Sequence, residues 1–355
     1  MIVIFLVILA IYLGANYFVA LQLANEFPQY AIAIYSIIGW LTLIAVLTLA
    51  VRKHSIGKLL GRIGNYWMGL GLLAAVIFGI AKLLPFDTFY IALVITLILF
   101  SYGVIHAHQL QVKPYRIQLN RSIDHLHMVL ISDVHLGYVN GVTKLYRIVN
   151  KINRLKPDIV VISGDLFDSN FKAVPEPDKI VALLNQIKAK HGVYLAWGNH
   201  DAGETFEEMK ALIAKTQIIL LEDEMVEVAD FYLVGRKDCQ PIGDQGAKRQ
   251  PTLTQPNTNK AVIVLDHQPS TIHEYDANTD LILSGHTHQG QIFPFNYVTK
   301  KLFTIDYGHL QLPTGTQVIV SSGVGFWGPP MRIGTDSEIV SIKISTQEEK
   351  AVGTS

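Results

Sequence analysis

The sequence predicts a transmembrane region of four helices followed by an α/β domain built on a layered sheet. Four long apolar stretches fill the first 106 residues, whereas short apolar runs alternate with helical segments from about residue 115 onward. The first 112 of the 355 residues hold only five of the 29 Lys and Arg and two of the 29 Asp and Glu. The remainder therefore has 24 bases and 27 acids, a weakly acidic balance that provides no general attraction for nucleic acid.

The transmembrane region is expected to occupy residues 1–112. Its apolar stretches lie at about 2–23, 31–51, 66–84 and 88–106. Each is close to the roughly 20 residues that a helix needs to cross a bilayer. A signal peptide would account only for the first stretch, because its apolar part is about 7–15 residues long. Glycines in the third stretch indicate close helix packing rather than a transport pathway, so we expect the region to serve as an anchor.

The basic residues near these stretches predict the orientation. With four spans, the loop between the second and third and the segment after the fourth lie on one side of the membrane. That side carries seven bases, namely Arg52, Lys53, Lys58, Arg62, Lys113, Arg116 and Arg121. The other side carries only Lys82. The excess predicts a multi-pass cell-membrane protein with both termini and the α/β domain in the cytoplasm.

The soluble part begins with a linker or first strand at 113–126, followed by an α/β domain at 127–345. Buried strands are predicted at 127–133, 159–165 and 192–201, and helices at 146–158, 178–190 and 206–215. Strands dominate after residue 231, apart from a polar segment at 239–260 that is typical of a long mobile loop. Residues 346–355 are expected to form a disordered tail.

Five of the predicted strands end in side chains that commonly bind metals. These side chains are Asp133, His135, Asp165, Asn199, His200, Asp201, Asp266, His267, His286 and His288. Ligands of layered α/β sheets gather where strands end, so we expect these oxygen and imidazole donors to converge. The single cysteine, Cys239, excludes both an internal disulfide and a zinc site built from thiolates. The pattern therefore predicts a metal centre with mixed nitrogen and oxygen ligands.

The order and spacing of the motifs resemble the calcineurin-like metallophosphoesterase superfamily. The matching segments are "DVH" at 133–135, "GD" at 164–165, "GNHD" at 198–201, "DHQP" at 266–269 and "GHTH" at 285–288. The longer segments "GHTHQGQIFPF" and "SSGVGFWGPPMRIG" are similar to the membrane-associated bacterial branch related to YkuE. The resemblance implies that residues 127–345 form a four-layer αββα sandwich and act as the catalytic domain.

The resemblance also implies a role for each ligand. One divalent metal would take Asp133, His135 and His288, and a second would take Asn199, His267 and His286. Asp165 would bridge the two metals, and a hydroxide between them would attack the phosphorus of a phosphomonoester or phosphodiester. Such a donor set suits Mn, Fe, Zn, Ni or Co, and affinity order alone does not choose among them.

His200 is expected to stay outside the metal ligands and to act on the phosphate. It would protonate the leaving oxygen or stabilise charge there, with Asp201 orienting its ring. Asp266 has two equally plausible roles: it could hydrogen-bond to a ligand histidine, or it could cap a strand end. Arg236 and Asp238 could touch substrate or could form a solvated pair on the surface.

The substrate class is predicted from the position of the domain close to the bilayer. Five aromatic residues after the metal motifs could form a rim that dips into the membrane surface, namely Phe293, Phe295, Tyr297, Phe326 and Trp327. We therefore expect a lipid or lipid-linked phosphoester, with membrane lipid as a further partner. Two alternatives stay open: a phosphoesterase-like domain that only binds, and a membrane sensor or transport-associated protein with a regulatory domain. The sequence leaves the oligomeric state undetermined.

Overall fold

The computed structural model describes residues 2–51, 54–243, 249–250 and 259–346, with side chains from residue 6 onward. Its α-helices are α1 (Ile2–Glu26), α2 (Ala31–Ala50), α3 (Lys58–Ala81), α4 (Phe89–Ala107), α5 (Val142–Leu155), α6 (Pro177–Leu184), α7 (Phe206–Ile213) and α8 (Phe295–Leu302). Its strands are β1 (Leu110–Leu119), β2 (Leu126–Ile131), β3 (Ile159–Ser163), β4 (Val193–Ala196), β5 (Ile218–Leu221), β6 (Glu224–Val228), β7 (Phe231–Gly235), β8 (Val262–Leu265), β9 (Leu281–Ser284), β10 (Gly308–Gln311), β11 (Gln317–Val320) and β12 (Ser337–Thr346).

Helices α1 to α4 form a bundle that is long and apolar enough to cross a membrane. Their buried seam consists of Val19, Ala20, Ile38, Ala74, Phe78 and Ala92. Large apolar side chains cover the outside of the bundle, as in Ile11 and Ile98, which are both more than half exposed. An apolar exterior is the arrangement that lipid favours, because hydrocarbon offers no penalty to exposed Ile and Leu.

Helix α3 begins at Lys58, eight residues before the start predicted at residue 66. The apolar stretch from which the prediction was made covers only the later turns, so the first two turns of α3 carry Lys58 and Arg62 beyond that stretch. The two bases lie four residues apart and therefore on one face of the helix.

Two six-stranded sheets pack face to face behind this bundle. The first has the order β1-β12-β2-β3-β4-β5 and the second the order β10-β11-β9-β8-β7-β6. Side chains such as Leu130 and Val161 meet Leu265 and Leu283 in the core between the sheets. Strands β2 to β5 run parallel, and α5, α6 and α7 connect them across the outer face of the first sheet. The predicted layered sandwich is thus confirmed.

The fourth layer, on the outside of the second sheet, is thin. A 3-10 helix at Pro269–Glu274 contributes Ile272, and Ile305 and Leu312 come from the segment after α8. Helix α8 itself buries no side chain. The second sheet is therefore covered mainly by short irregular segments.

Several predicted boundaries differ from the observed ones. The segment predicted at 113–126 as a linker or first strand begins inside β1, which starts at Leu110, three residues after α4 ends. The predicted helix at 178–190 ends at Leu184, and β5, β6 and β10 were not predicted. Most of the predicted loop at 239–260 lies outside the described residues, as does the predicted tail except Thr346, the last residue of β12.

The bundle and the sandwich meet through a loop at residues 325–333, which we call the inserted loop. An added Cβ at Gly69 of α3 would lie 2.7 Å from Met331 Sδ, and one at Gly103 of α4 would lie 3.2 Å from the Cβ of Met331. The amide of Arg332 donates to the carbonyl of Gly103 at 3.0 Å. Because Gly69 and Gly103 have no side chain, the inserted loop can approach the two helices this closely.

Substituting Gly69 with leucine should weaken this contact. The added side chain would overlap Met331 and Pro329, and overpacking of this kind typically costs about 1–3 kcal/mol. Thermal unfolding of the full chain in detergent should show a lower midpoint. Gly79→Leu is the matched control on the same helix, because an added Cβ there meets no atom within 4 Å. Equal shifts for the two variants would contradict the packing assigned to Gly69.

Candidate metal centre

The seven predicted metal ligands come together at the carboxyl ends of five parallel strands. Asp133 and Asp165 follow β2 and β3, and Asn199 follows β4, all in the first sheet. His267 and His286 follow β8 and β9 of the second sheet. His135 and His288 each lie two residues beyond a member of this set. The centre therefore lies in the crevice between the two sheets, where their strand ends face each other.

One group of donors consists of Asp133, His135 and His288, all of them buried. The Nε2 atoms of the two histidines lie 3.1 Å apart. His288 Nε2 is 3.5 Å from Asp133 Oδ1, and His135 Nε2 is 4.0 Å from the same oxygen. Metal bonds of about 2.0–2.2 Å place neighbouring ligand atoms roughly 3 Å apart, so these three side chains fit one divalent ion.

A second group consists of Asp165, His267 and His286. His267 Nε2 lies 3.1 Å from Asp165 Oδ2, and His286 Nδ1 lies 2.9 Å from Asn199 Oδ1. The same Asp165 oxygen is 3.6 Å from His135 Nε2 of the first group. Asp165 thus stands between the two groups, where one carboxylate can serve two ions.

The ring of His267 is already oriented for metal binding. Its Nδ1 lies 2.8 Å from the carbonyl of Ser163, which can only accept, so Nδ1 carries a proton and Nε2 is the ring atom left for a metal ion. Within the described part of the chain, Nε2 is fully buried without a hydrogen-bond partner, and it lies 3.1 Å from Asp165 Oδ2. A buried nitrogen of this kind lacks the partner that a metal ion would supply.

The backbone at the centre is strained. Asp133, His135, Asp165, His286 and His288 all have φ between 49° and 74°, the left-handed region that is uncommon for residues other than glycine. Each such conformation costs of order 1–3 kcal/mol and persists only where surrounding contacts enforce it. Five strained residues among seven predicted ligands are the backbone signature of a functional site.

Two glycines let neighbouring chain segments approach the carboxylates. An added Cβ at Gly198 would overlap Asp165, and one at Gly285 would overlap Asp133. The amide of His200 donates to Asp165 Oδ1 at 2.8 Å, and the amide of His286 donates to Asp133 Oδ1 at 3.1 Å. The glycines in "GNHD" and "GHTH" are therefore needed for close backbone contact with the carboxylate of another strand.

Burial and neighbouring charges shift the pKa values of the acidic groups in opposite directions. Burial raises the pKa of Asp133, although His267 opposes this effect. Burial also disfavours ionisation of Asp165, but the positive charge of His267 outweighs it and holds the pKa of Asp165 well below its usual value. Asp165 therefore keeps a buried negative charge, which needs cations around it.

His200 lies beside both groups without belonging to the predicted ligand set. Its ring centroid is 4.9 Å from that of His135. Burial lowers the pKa of His200 to about 4, so its ring is neutral at pH 7. The Nδ1 atom lies 2.7 Å from Ser169 Oγ and 3.7 Å from Asp168 Oδ1.

The carboxylate of Asp201 is hydrogen-bonded to the backbone of two loops beside the centre. Its carboxylate accepts hydrogen bonds from the amides of Leu166, Phe167 and Gly198 at 2.7–3.1 Å. It therefore ties the loop after β3 to the loop after β4, while Ser169 and Asp168 contact the ring of His200. Among the described residues, the hydrogen bonds of the Asp201 carboxylate go to these three amides, so any effect of Asp201 on the His200 ring passes through the two loops.

Asp168 and Arg332 were not identified from the sequence. Asp168 Oδ1 lies 3.6 Å from His135 Nδ1, so the acid contacts both His135 and His200. Arg332 is fully buried, and its guanidinium donates to the carbonyls of His288, Ser322 and Gly325. Neither residue belongs to a motif used in the prediction, although Arg332 lies within the quoted segment "SSGVGFWGPPMRIG".

The three polar residues whose roles the sequence left open, Asp266, Arg236 and Asp238, lie outside the two donor groups. Asp266 accepts both arms of the Arg249 guanidinium at 2.8–2.9 Å, in addition to the hydroxyls of Thr271 and Tyr275. Neither role suggested for Asp266, a bond to a ligand histidine or a strand cap, describes this buried ion pair.

Arg236 and Asp238 are both buried, so they do not form a solvated surface pair. Arg236 Nε lies 3.5 Å from Asp223, and Asp238 accepts from the side chain of Gln268 at 2.8 Å. Gln268 directly follows His267 in the chain. Asp238 therefore supports the loop that carries this ligand.

Comparison with known proteins identifies the class of this fold and site. The family model of the calcineurin-like phosphoesterases matches residues 126–290. An uncharacterized metallophosphoesterase of Aquifex aeolicus is 30% identical over 262 residues, which cover 70% of this chain and 97% of that protein. The chain therefore belongs to the calcineurin-like phosphoesterase family.

Two further relatives are longer than the region in which they match this chain. An uncharacterized metallophosphoesterase of Campylobacter jejuni is 35% identical over 240 residues, covering 66% of this chain and 63% of that protein. A transmembrane protein with metallophosphoesterase domain from Danio rerio is 34% identical, covering 71% of this chain and 61% of that protein. The chain thus spans somewhat less than two thirds of each. The predicted similarity to YkuE of Bacillus subtilis is confirmed at 27% identity.

Replacing Asp165 with asparagine should reduce the number of metal ions bound per chain from two to at most one. An amide has the same shape as the carboxylate but supplies no charge to hold two cations together. Elemental analysis of the purified full chain measures this directly. Asp178→Asn, an exposed position on α6, is the control and should retain both ions. Two ions retained in the Asp165 variant would refute the bridging position.

Proposed function

We propose that this protein is a membrane-anchored phosphoesterase that hydrolyses phosphomonoesters or phosphodiesters with two divalent metal ions. The observation that carries the proposal is the position of Asp165 between two donor groups, 3.1 Å from His267 and 3.6 Å from His135. The family membership supports the same reaction class. The activity and the membrane anchoring of the whole protein are part of the proposal.

The residues of the two groups would hold the ions. Asp133, His135 and His288 would bind one, Asn199, His267 and His286 the other, and Asp165 both. When bound, a pair of divalent cations clamps a phosphoryl group, activates water at neutral pH and neutralises charge that develops on the phosphoryl oxygens. The donor set suits Mn, Fe, Zn, Ni or Co.

His200 would handle the proton of the leaving group. The contact with Ser169 fixes the ring through Nδ1, so Nε2 is the atom available to a substrate. The ring is neutral before substrate binds, because burial lowers the pKa of His200 to about 4. A phosphate anion placed beside the ring raises that pKa and favours the protonated form, which can then donate to the leaving oxygen.

Replacing His200 with alanine should preserve metal binding and slow hydrolysis. Loss of general acid catalysis typically reduces the rate by about 10²–10⁴-fold, and the reduction should be smaller for a nitrophenyl ester than for an alkyl ester. Rates of the full chain on both kinds of ester, with metal content measured in parallel, test this role. A variant that loses metal would make His200 a ligand instead, and unchanged rates on both esters would remove it from the reaction. Absence of metal-dependent hydrolysis in the unaltered protein would refute the proposed function.

The proposed orientation places the catalytic domain in the cytoplasm. Lys58 and Arg62 lie at the end of the bundle that faces the sandwich, where positive residues favour the cytoplasmic side. Arg121 adds little to this bias. It lies beyond the far end of β1, where it forms an ion pair with Asp280 at 3.1 Å.

A lipid or lipid-linked phosphoester is the substrate class that we propose. Helix α8 presents Phe295 and Tyr297, each 60% exposed, and it follows the loop that carries His288. Phe293 and Trp327 are also exposed, and the ring of Trp327 lies 5.9 Å from that of His200. Exposed aromatic rings close to a membrane are favoured at the lipid headgroups.

Phe326 does not belong to this rim, contrary to the prediction. It is 2% exposed, and its ring packs under the ammonium group of Lys144 at 5.4 Å. Its carbonyl accepts from Asn140 at 3.0 Å. Because adjacent residues of the inserted loop point in opposite directions, only Trp327 reaches the surface.

Replacing Phe295 and Tyr297 together with serine should slow hydrolysis of a lipid phosphoester in mixed micelles by about tenfold or more, since each ring contributes apolar area to the interface. The rate on a small soluble ester should change little. Tyr146→Ser is the control, because Tyr146 is 54% exposed on α5, outside the rim. Equal losses on both substrates would indicate a folding role for the rings and remove this support for a lipid substrate.

A further inference from the structure

A cavity of about 660 Å³ lies between the bundle and the sandwich, apart from the metal centre. Helices α3 and α4 form one wall, and the start of α5 with the turns around Val139 and Pro175 forms the other. None of the seven predicted metal ligands lines it. The cavity lies at the level where the bundle ends, since Lys58 begins α3 and Ala107 ends α4.

The polar part of this cavity is strongly basic. Lys58 and Arg62 come from α3, and Lys144 and Arg147 come from α5. Glu176 is the acidic residue among the lining residues, and it pairs with Lys179 as well as with Lys58. Two of these bases belong to the helix bundle and two to the sandwich, so the four come together only in the folded chain.

Lys144 is the buried base of the group. Its ammonium group donates to the carbonyl of Ala107, the last residue of α4, at 2.9 Å. Burial, with the added repulsion of Arg332 and Arg147, lowers the pKa of Lys144 to about 7. Among the residues that the structure describes, no acidic side chain forms an ion pair with Lys144. Burying a lysine in this way is costly, and an anion in the cavity would stabilise its charged form.

The other part of the cavity is apolar and belongs to the bundle. Tyr66, Val104 and Ile105 line it, and Ile105 is 61% exposed. These residues lie on α3 and α4, on the bilayer side of the basic group. A ligand that fills the cavity therefore has an anionic end toward α5 and an apolar end along the helices.

We propose that this cavity binds the headgroup of an anionic phospholipid, with the phosphate between Lys58, Arg62, Lys144 and Arg147 and an acyl chain along Tyr66 and Ile105. Basic cavities at the membrane end of helices take anionic headgroups, because charge and apolar contact act together. A free phosphate would satisfy the bases but would leave the apolar wall uncovered. The site goes beyond the proposed hydrolysis and rests on the proposed membrane anchoring alone.

Lipid binding to the full chain in detergent, measured by native mass spectrometry, tests the site. Phosphatidylglycerol should bind at least tenfold more tightly than phosphatidylcholine. The double variant K58Q/R147Q should weaken phosphatidylglycerol binding by about 25-fold, since each base near an anionic headgroup contributes roughly fivefold. Both side chains are exposed, and the hydrogen bond of Lys144 to Ala107 stays intact in this variant.

The matched control is K151Q/R154Q, which removes the same charge from α5 at positions that do not line the cavity. Loss of affinity in the first pair and little change in the second supports the site. Equal losses in both pairs would mean general attraction to a basic surface and would overturn the proposal. So would equal affinity for the two lipids, or displacement of phosphatidylglycerol by an equal concentration of inorganic phosphate. If the double variant does not fold, R147Q alone against R154Q provides the same comparison.

Discussion

The structure depends on the burial of two carboxylates, Asp133 and Asp165, at the ends of neighbouring strands. Neither is more than 1% exposed, and a buried negative charge is stable only if positive charge or hydrogen-bond donors surround it. This constraint accounts for the convergence of histidines from both sheets and for the backbone amides aimed at the carboxylates. It also explains why strained left-handed residues are tolerated here, because the surrounding contacts compensate for their cost.

The inserted loop joins this centre to the helix bundle. Within a few residues it contributes Trp327 beside His200, Arg332 against the carbonyl of His288, and Met331 against Gly69 and Gly103. Packed residues transmit displacement because protein interiors have little free volume. The bundle is therefore part of the framework that positions the loop carrying His288. A separate tether joined by a flexible linker would leave the loop free of the helices.

The sequence was sufficient to predict the two units, the positions of the main strands along the chain and the convergence of the ligands, because each ligand follows an apolar run in a short motif. It was insufficient for contacts that depend on loop conformation. Phe326 and Trp327 are adjacent aromatic residues, and only the backbone of the inserted loop decides that one is buried and the other exposed. Likewise, the carboxylate of Asp201 binds three amides from loops whose proximity arises only in the assembled sheet. Arg332 lies 44 residues after His288, too distant for a local pattern to link them.

The position of β12 has a consequence for how the protein is made. This strand lies between β1 and β2, although it follows them by more than 200 residues in the chain. A ribosome adds about 5–20 residues per second, so the bundle and β1 exist for tens of seconds before the strand that fills the gap is translated. During that interval β1 and β2 each present an unpaired edge. Completion of the first sheet therefore waits until β12 is translated, and the inserted loop is made just before that strand.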